Sequence, residues 1–589
     1  MSDDLATYGD MNSSLTADFN LLSRRRALFG SLVVATSVVF ALWFYRVVAA
    51  GRFGLLEISL LFFFLVHTTW LTLGFWNAII GFYLLRASEN VLGRVSPPLS
   101  NVQEDSQFPE HIAIVMTIRN EDTDGVFARL DAIKMSLSKT PCEAQFDYFV
   151  LSDSSMPRVI DAEMAACSTF SAKYGETSRL IYRRRDSNEG FKAGNVRDFC
   201  EKWGSDYDFM LLLDADSLMT GETILRLART MHAHPRLGVL QTIMTGVLMP
   251  SFFAQVFEFG HRLGMVCTAV GAVWWQGERC QFWGHNAIIR MAPFIEFCRL
   301  QSIPGTGPFS GHVICHDQIE ASLMQRAGYE VRVWPEESGS YEGVPPTLLE
   351  FIDRDHRWFH GNLKNLRLLG NLPAMSHFHL AIVAQRFLGW VAAVIFVLLA
   401  AAKSATWPND EQFPTHAALA LYIAVIVLFF TPRLVGLVHT LLSGASRYGG
   451  NRALILGEFT EACFSLILLP ISMFAATWFL LWLTLGWGIK WEAPRRSSYS
   501  LRWRSVLARL WIHDLFAAAL ITFLVWAAPG ALWWFAPFLF GLLVAMPFAL
   551  LTSSTAVTDR MRGMKLCASP EDLDMPIEVA MTRSAQARS

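Results

Sequence analysis

Apolar runs frame this chain at both ends and leave a long segment of mixed character between them. Residues 27 to 45 carry no charge and come close to the ~20 residues that an α-helix needs to cross a bilayer. Arg24, Arg25 and Arg26 directly precede them, and a basic cluster at the start of a span keeps that end in the cytoplasm. Cleavage as a signal peptide is disfavoured, because the basic cluster begins only at position 24 and the turn at Ala49 to Gly51 leads straight into a second apolar run from 55 to 85. That second span returns the chain to the side on which it began, so residues 87 to 375 are expected in the cytosol.

Further apolar stretches follow at 379–402, 416–442, 453–489 and 510–552. The loop around Arg447 and Arg452 is basic, as is the segment from Lys490 to Arg509 with Arg495, Arg496, Arg502 and Arg504, whereas Asp410 and Glu411 mark the loop at 404–414 as outside. Cytosolic flanks on both sides of 453–489 require an even number of crossings there, met either by a pair of short helices or by a re-entrant or interfacial segment. With a hairpin at Ala528 to Gly530, the pattern predicts about eight spans. The chain divides into a cytosolic tail 1–26, two transmembrane helices within 27–86, a cytosolic domain 87–375, about six transmembrane or interfacial helices within 376–552, and a cytosolic tail 553–589.

Within the cytosolic block the period changes. His111 to Ile118 is a continuous apolar run, the mark of a strand buried on both faces, and polar Arg119, Asn120, Glu121 and Asp122 end it. Val126, Leu130, Ile133 and Leu137 then recur at helical spacing. Further strands are predicted at Phe146 to Leu151, Leu180 to Arg183 and Phe209 to Leu213, with a helix over about 221–233 that Pro235 stops. Strands alternating with helices imply an α/β, Rossmann-like domain with a mainly parallel sheet, whose ligand sits at the carboxyl ends of the strands. Asp153, Asp214 and Asp216 stand at such ends.

Composition agrees with the division. Hydrophobic residues make up 53% of the chain, too many for a soluble protein, and charged residues 17%, too many for one embedded throughout. The formal net charge of −2 supplies no basic stripe for a nucleic-acid partner. None of the nine cysteines forms a CxxC pair or a zinc spacing, and seven lie in the block 87–375, as reduced cytosolic thiols would.

Asp214-Ala215-Asp216 carries the candidate chemistry. Residues i and i+2 of a strand share a face, so both carboxylates can meet one cation and the diphosphate it carries. Mg²⁺ or Mn²⁺ suits such a site, being a hard cation commonly shared between one or two carboxylates and substrate phosphates. The same residues, with Ser217, can equally be a turn that caps the next helix.

Arg119-Asn120-Glu121, Asp153, Lys192-Ala193-Gly194-Asn195, Asp214-Ala215-Asp216, Gly284-His285-Asn286-Ala287, His316-Asp317 and Arg354 to Trp358 occur in the order and rough spacing of processive family 2 glycosyltransferases with a GT-A fold. Cellulose, hyaluronan and chitin synthases share that plan. Over about residues 25 to 550 the chain resembles more closely the glucans biosynthesis glucosyltransferase H family, the inner-membrane synthases of osmoregulated periplasmic glucans. The features are Gly190 to Val196, Gly284 to Arg290, His316 to Ala321, Tyr341 to Pro346 and Arg354 to Trp358.

The resemblance implies a role for each site residue. Asp153 contacts the nucleotide's uracil or ribose side, Lys192 and Asn195 the donor, and Asp214 and Asp216 hold the cation. Asp317 is the catalytic base, Arg357 faces the diphosphate, Trp358 stacks on the acceptor sugar, and Arg354 opens the same motif. Cys315-His316 replace the Thr-Glu of the wider family before Asp317, and Arg354 replaces its Gln, as in the glucan family. Each residue also has a plainer reading. Asp153 can close an Asx-turn, Lys192 can be a solvated loop lysine, and Asp317 with Glu320 can form a capping box for the following helix. Arg354 can belong to a basic interfacial segment, and Trp274, Trp275 and Trp283 can line an acceptor path or fill a core. Capping and catalysis are compatible for Asp317, since a helix N-terminus favours the ionised carboxylate that a base requires.

With the spans, the resemblance implies an inverting membrane glucosyltransferase that polymerises glucose from UDP-glucose into a β-linked, β-1,2-backboned glucan and exports it to the periplasm. A lone base fits a single displacement better than a double one. Glu57, Arg433, Glu458, Glu461 and Asp514, within or beside the spans, read as the lining of a polar export path or as packing partners. The expected location is the bacterial inner membrane, with both termini cytoplasmic. The implied partners are UDP-glucose, the growing glucan acceptor and the lipid bilayer, together with a periplasmic glucan-modifying protein and acyl carrier protein. Two other functions stay open: another family 2 polysaccharide synthase, cellulose-like or chitin/hyaluronan-like, and a lipid-carrier glycosyltransferase, which needs no acceptor-sugar site. The tail 553–589 is expected to be too short for the cyclic-di-GMP-binding β-barrel of bacterial cellulose synthases.

Overall fold

β1 (Ile112–Ile118) is buried along its whole length, and its alternate side chains feed two different cores. Ile112, Ile114, Met116 and Ile118 join a cluster containing Val126, Leu130, Ile133 and Leu137 of the Thr123–Leu137 helix, whereas Ala113 and Val115 face Val196 and Phe199 of the Phe191–Trp203 helix. A strand covered by helices on both faces can be apolar at every position, which is why the run read so plainly in the sequence. The computed structural model describes the chain except residue 1 and residues 50–52, 101, 103–105, 176–178, 408–412, 487–499 and 587–589.

The other strands are β2 (Phe146–Ser152), β3 (Leu180–Arg184), β4 (Phe209–Asp214), β5 (Leu218–Met219), β6 (Leu237–Gly246), β7 (Ala287–Arg290) and β8 (Glu330–Glu342). They form one sheet in the order β3-β2-β1-β4-β7-β6-β8-β5. The expected parallel pairing holds across β3, β2, β1 and β4, and between β6 and β8. β7 runs antiparallel to both β4 and β6, and β5 antiparallel to β8, so the sheet is mixed, with parallel pairing in the majority. The cause lies in the connection: the Phe252–Gln276 helix between β6 and β7 leaves the sheet to pack on the Leu55–Ala87 helix, so β7 starts at the edge where β6 ended. That contact is backbone to backbone. A Cβ on Gly81 would stand 1.8 Å from Cys267 O, and one on Gly271 1.9 Å from Asn77 O, so only glycines allow the approach.

Among the described residues, six helices are long and apolar enough to cross a membrane: Asn20–Val48, Leu55–Ala87, Met375–Ala405, Thr415–Ser443, Asn451–Thr484 and Trp503–Ala527. Pro529–Leu543 and Ala545–Ser553 form a further apolar pair bent by 46°. Arg25 and Arg26 donate to the last carbonyls of the Phe252–Gln276 helix, Arg25 Nη1 to Trp274 O at 3.3 Å and Arg26 Nη2 to Gln276 O at 2.8 Å. Cations at a helix C-terminus satisfy its orphan carbonyls and its dipole, so this pair anchors the first membrane helix to the soluble block. Trp275 belongs to the core, 2% exposed and stacked on Phe29 at 4.6 Å.

Within the stretch 453–489 the described residues form one unbroken helix, Asn451–Thr484, and not the pair of short helices that was one of the two expected arrangements. Pro470 opens no turn; its ring lies against Gly541. Leu454 near one end packs with Phe259, while Phe479 and Leu483 near the other pack with Phe359 of the Leu348–Asn365 helix. Asp410, Glu411, Lys490, Arg495 and Arg496, which carried part of the sidedness argument, lie outside the described residues. Arg509 pairs with Asp353 of the Leu348–Asn365 helix. Of the ionisable groups in the spans, Glu57 pairs with Lys403 at 2.5 Å and Arg433 with Glu461 at 2.8 Å.

Candidate active site

β4 ends on Asp214, whose backbone N–H donates to Ser217 Oγ at 3.0 Å and so closes the turn that carries Asp216. The end of β8 backs this turn: a Cβ on Gly343 would stand 2.8 Å from Asp216 Oδ2. Lys192, in the first turn of the Phe191–Trp203 helix, forms an ion pair with Asp214 and donates from Nζ to Gly284 O at 2.7 Å. Gly284 touches the next group, since a Cβ there would lie 3.4 Å from Asp317 Cβ. Asp214, Asp216, Lys192 and Asp317 therefore converge at the carboxyl end of the interior strand β4, delivered by a strand end, a turn and two helix N-termini.

Asp317 is the first residue of the Asp317–Arg326 helix, and the N-cap position is held by His316, whose side chain makes no cap bond. The capping box expected of Asp317 and Glu320 is absent: Glu320 meets His316 Nδ1 at 2.8 Å instead. Burial pushes the Asp317 carboxyl above its usual range; His316 pulls it down and Glu320 pushes it further up. For His316 burial opposes the charge, but the Glu320 carboxylate outweighs it and raises the ring's pKa.

The Leu348–Asn365 helix brings in the last motif. Arg354 and Trp358 are four residues apart and share a face, with the guanidinium 4.5 Å from the ring centroid. Trp358 is 41% exposed and leaves its other surface open, while Arg357 is half-buried beside Arg354. The helix is fastened to the Asp317 loop: Asn365 Nδ2 donates to Cys315 O at 2.7 Å, and Gly361 lies against Cys315.

Two expected donor contacts are engaged elsewhere. Asn195 is 1% exposed and donates from Nδ2 to Leu151 O at 3.0 Å, which fixes its helix to β2 rather than presenting the amide to a ligand. Asp153 is gripped by Arg185, Nε to Oδ1 and Nη2 to Oδ2, both at 2.7 Å, and Asn188 bridges it to Arg119. Sequence reasoning passed over Arg185, and placed His285 and Glu342 in motifs without giving either a role. His285 Nε2 stands 3.6 Å from Glu342 Oε2, and burial raises the Glu342 carboxyl, with His285 lowering it and Asp216 raising it. Arg185 lies in a run of three arginines that reads as surface charge, and Glu342 ends a strand too polar to stand out; only the Gly284 and Tyr341 motifs flagged the neighbourhood of His285 and Glu342.

Among the described residues no group of three or more His, Cys, Asp or Glu is arranged to hold a metal ion alone. The donor set fits a different arrangement, in which the hard carboxylates Asp214 and Asp216 share a divalent cation with substrate phosphates. The missing side chain at Gly343 keeps the space beside Asp216 open.

Residues 114–297, which hold most of this α/β domain's sheet, match the sequence profile of glycosyl transferase family 2. The chain is 34% identical over 552 residues to the glucans biosynthesis glucosyltransferase H of Dickeya dadantii, covering 90% of this chain and 64% of that protein. It is 34% identical over 584 residues to the protein of the same name from Ralstonia nicotianae, covering 95% and 67%. The chain thus belongs to the glucans biosynthesis glucosyltransferase H family, and it spans about two thirds of the length of these relatives. A mannosyltransferase from Pyrobaculum calidifontis, solved with GDP-Man and Mn²⁺, is 18% identical and covers 62% of this chain and 99% of its own, with a TM-score of 0.39.

Proposed function

We propose that this protein is an inverting, divalent-cation-dependent glucosyltransferase of the bacterial inner membrane that builds a β-linked glucan from UDP-glucose and passes it to the periplasm. The observation that carries the reading is the convergence of Asp214, Asp216, Lys192 and Asp317 at the carboxyl end of β4, beside the Arg354–Trp358 face. Mg²⁺ or Mn²⁺ bound by Asp214 and Asp216 would neutralise charge on the departing diphosphate. Lys192 adds a fixed positive charge beside it, and Arg357 is assigned to the diphosphate by family resemblance. Asp317 accepts the acceptor hydroxyl's proton from its position on the opposite side of Gly284. Its raised pKa makes it a stronger base than an exposed aspartate, provided it is ionised. Trp358 offers an aromatic surface to the acceptor sugar's C–H face, and the stacked Arg354 holds the ring still. Asp153 is retained as a nucleotide-side residue whose carboxylate Arg185 orients.

Contacts support a reading of the sidedness. Both halves of the Asn451–Thr484 helix touch soluble-domain helices, so it is read as lying along the cytosolic face. The crossings are then the other long helices and the bent pair, about six instead of eight, with the catalytic block and both termini cytoplasmic. A β-1,2 backbone and partnership with a periplasmic glucan-modifying protein and acyl carrier protein follow family resemblance alone. Incubating membrane fractions with labelled UDP-glucose, followed by linkage analysis, tests the assignment. A β-1,2-linked glucan supports it, whereas a β-1,4-glucan or N-acetylglucosamine polymer overturns the subfamily and leaves the transferase.

A further inference from the structure

The segment after the last membrane helix folds back onto the catalytic domain and reaches β5 from both sides. On one side, Ser136 Oγ accepts from the Gly221 backbone N–H at 2.8 Å, just past the end of β5, and donates to Glu578 Oε1 at 2.7 Å. Val579, 1% exposed, shares a core with Leu218 of β5. On the other side, β5 pairs with Ser340 and Tyr341 of β8. β8 is held in turn by Arg262, itself 2% exposed, whose guanidinium bonds Glu337 at 2.7 and 2.6 Å and also Glu571 of the tail. β8 then runs on to Gly343, which backs Asp216.

A two-residue strand has too few ladder bonds to fix its own position, so the Asp214–Asp216 turn takes its geometry from these flanks. We propose that residues 566–583 form a clasp that holds this turn in its cation-binding geometry, with Glu571 and Glu578 as positioning residues acting through Arg262 and Ser136. The clasp rests on reading Asp214 and Asp216 as the cation and diphosphate site. Linkage then requires that the cation stabilise the clasp as the clasp favours the cation.

The test uses the full-length protein in membranes or detergent. Glu578→Ala should raise the Mn²⁺ concentration for half-maximal transfer about tenfold, the lower end of the effect of removing an outer-sphere support. Glu578→Gln, which still accepts from Ser136, should restore it, and adding Mn²⁺ with UDP to the wild type should slow amide exchange across 566–583. A wild-type Mn²⁺ requirement in Glu578→Ala, with Asp216→Asn inactive, overturns the clasp alone. Full activity in Asp216→Asn overturns the cation reading and the clasp with it. Should Glu578→Ala fail to accumulate, the wild-type exchange decides: unchanged protection across 566–583 on adding Mn²⁺ and UDP rejects the clasp.

Discussion

Arg185 holds Asp153 in a two-pronged grip, with both hydrogen bonds at 2.7 Å, and the same guanidinium reaches Phe191 O at 3.0 Å and Glu189 O at 3.0 Å. One side chain thus fixes the end of β2 against the loop that leads into Lys192. Arg185→Ala should free both, raising the donor KM about tenfold or more, as expected when a charge-assisted, partly buried network loses its centre. Arg185→Lys should rescue only in part, since an ammonium cannot reproduce the paired geometry. Steady-state kinetics at varied UDP-glucose checks both.

Gly343→Ala should disturb Asp216 directly, because the new methyl would stand 2.8 Å from Oδ2. The expected outcome is a loss of transfer of about 10-fold to 100-fold with a raised cation requirement, and little change in thermal stability. Unchanged activity would show that the turn yields freely.

Asp317→Asn should retain UDP binding and lose transfer by about 10² to 10⁴. In the wild type the base must be ionised, and burial holds its pKa above the usual carboxylate range. Activity should therefore fall as pH drops through that raised pKa, with the acidic limb of kcat lying above that of an ordinary aspartate near ~3.9. A pH–rate profile flat to the acid limit of folding removes Asp317 from the mechanism.

Reporter fusions near residue 200 and after residue 583 should both report cytoplasm, and one near residue 530 periplasm. The tail packs into the catalytic core through Val579, while Trp534 packs against Phe413 in the loop before the Thr415–Ser443 helix. A periplasmic signal near 200 would separate the site from cytosolic UDP-glucose.

The strands of the first half of the sheet were legible because a two-sided buried strand has a continuous apolar run, and Asp214 stood out at the end of one; Lys192 and Asp317, at helix N-termini, were picked out only by their place in the family's motif order. What the sequence could not supply depended on partners distant in the chain. β7 is antiparallel because the preceding helix is claimed by the membrane helix at Gly81 and Gly271. Asn195 turns inward, where its amide ties the helix to Leu151 O of β2. The Asn451–Thr484 run is one helix that packs on soluble-domain helices and on the long apolar helices alike, and hydropathy alone cannot tell such a helix from two short spans. Arg185 and the tail's Glu571 and Glu578 are ordinary surface charges until the fold brings Asp153, Arg262 and Ser136 to them.

The most direct test is incorporation of labelled glucose from UDP-glucose by purified wild-type protein, Asp216→Asn and Asp317→Asn, each with Mg²⁺ or Mn²⁺ and with excess chelator. The wild type should form polymer only with the cation, and both variants should lose transfer by at least about 10² while still binding UDP. Incorporation by Asp216→Asn, or by the wild type in chelator, at the full wild-type rate would contradict the account.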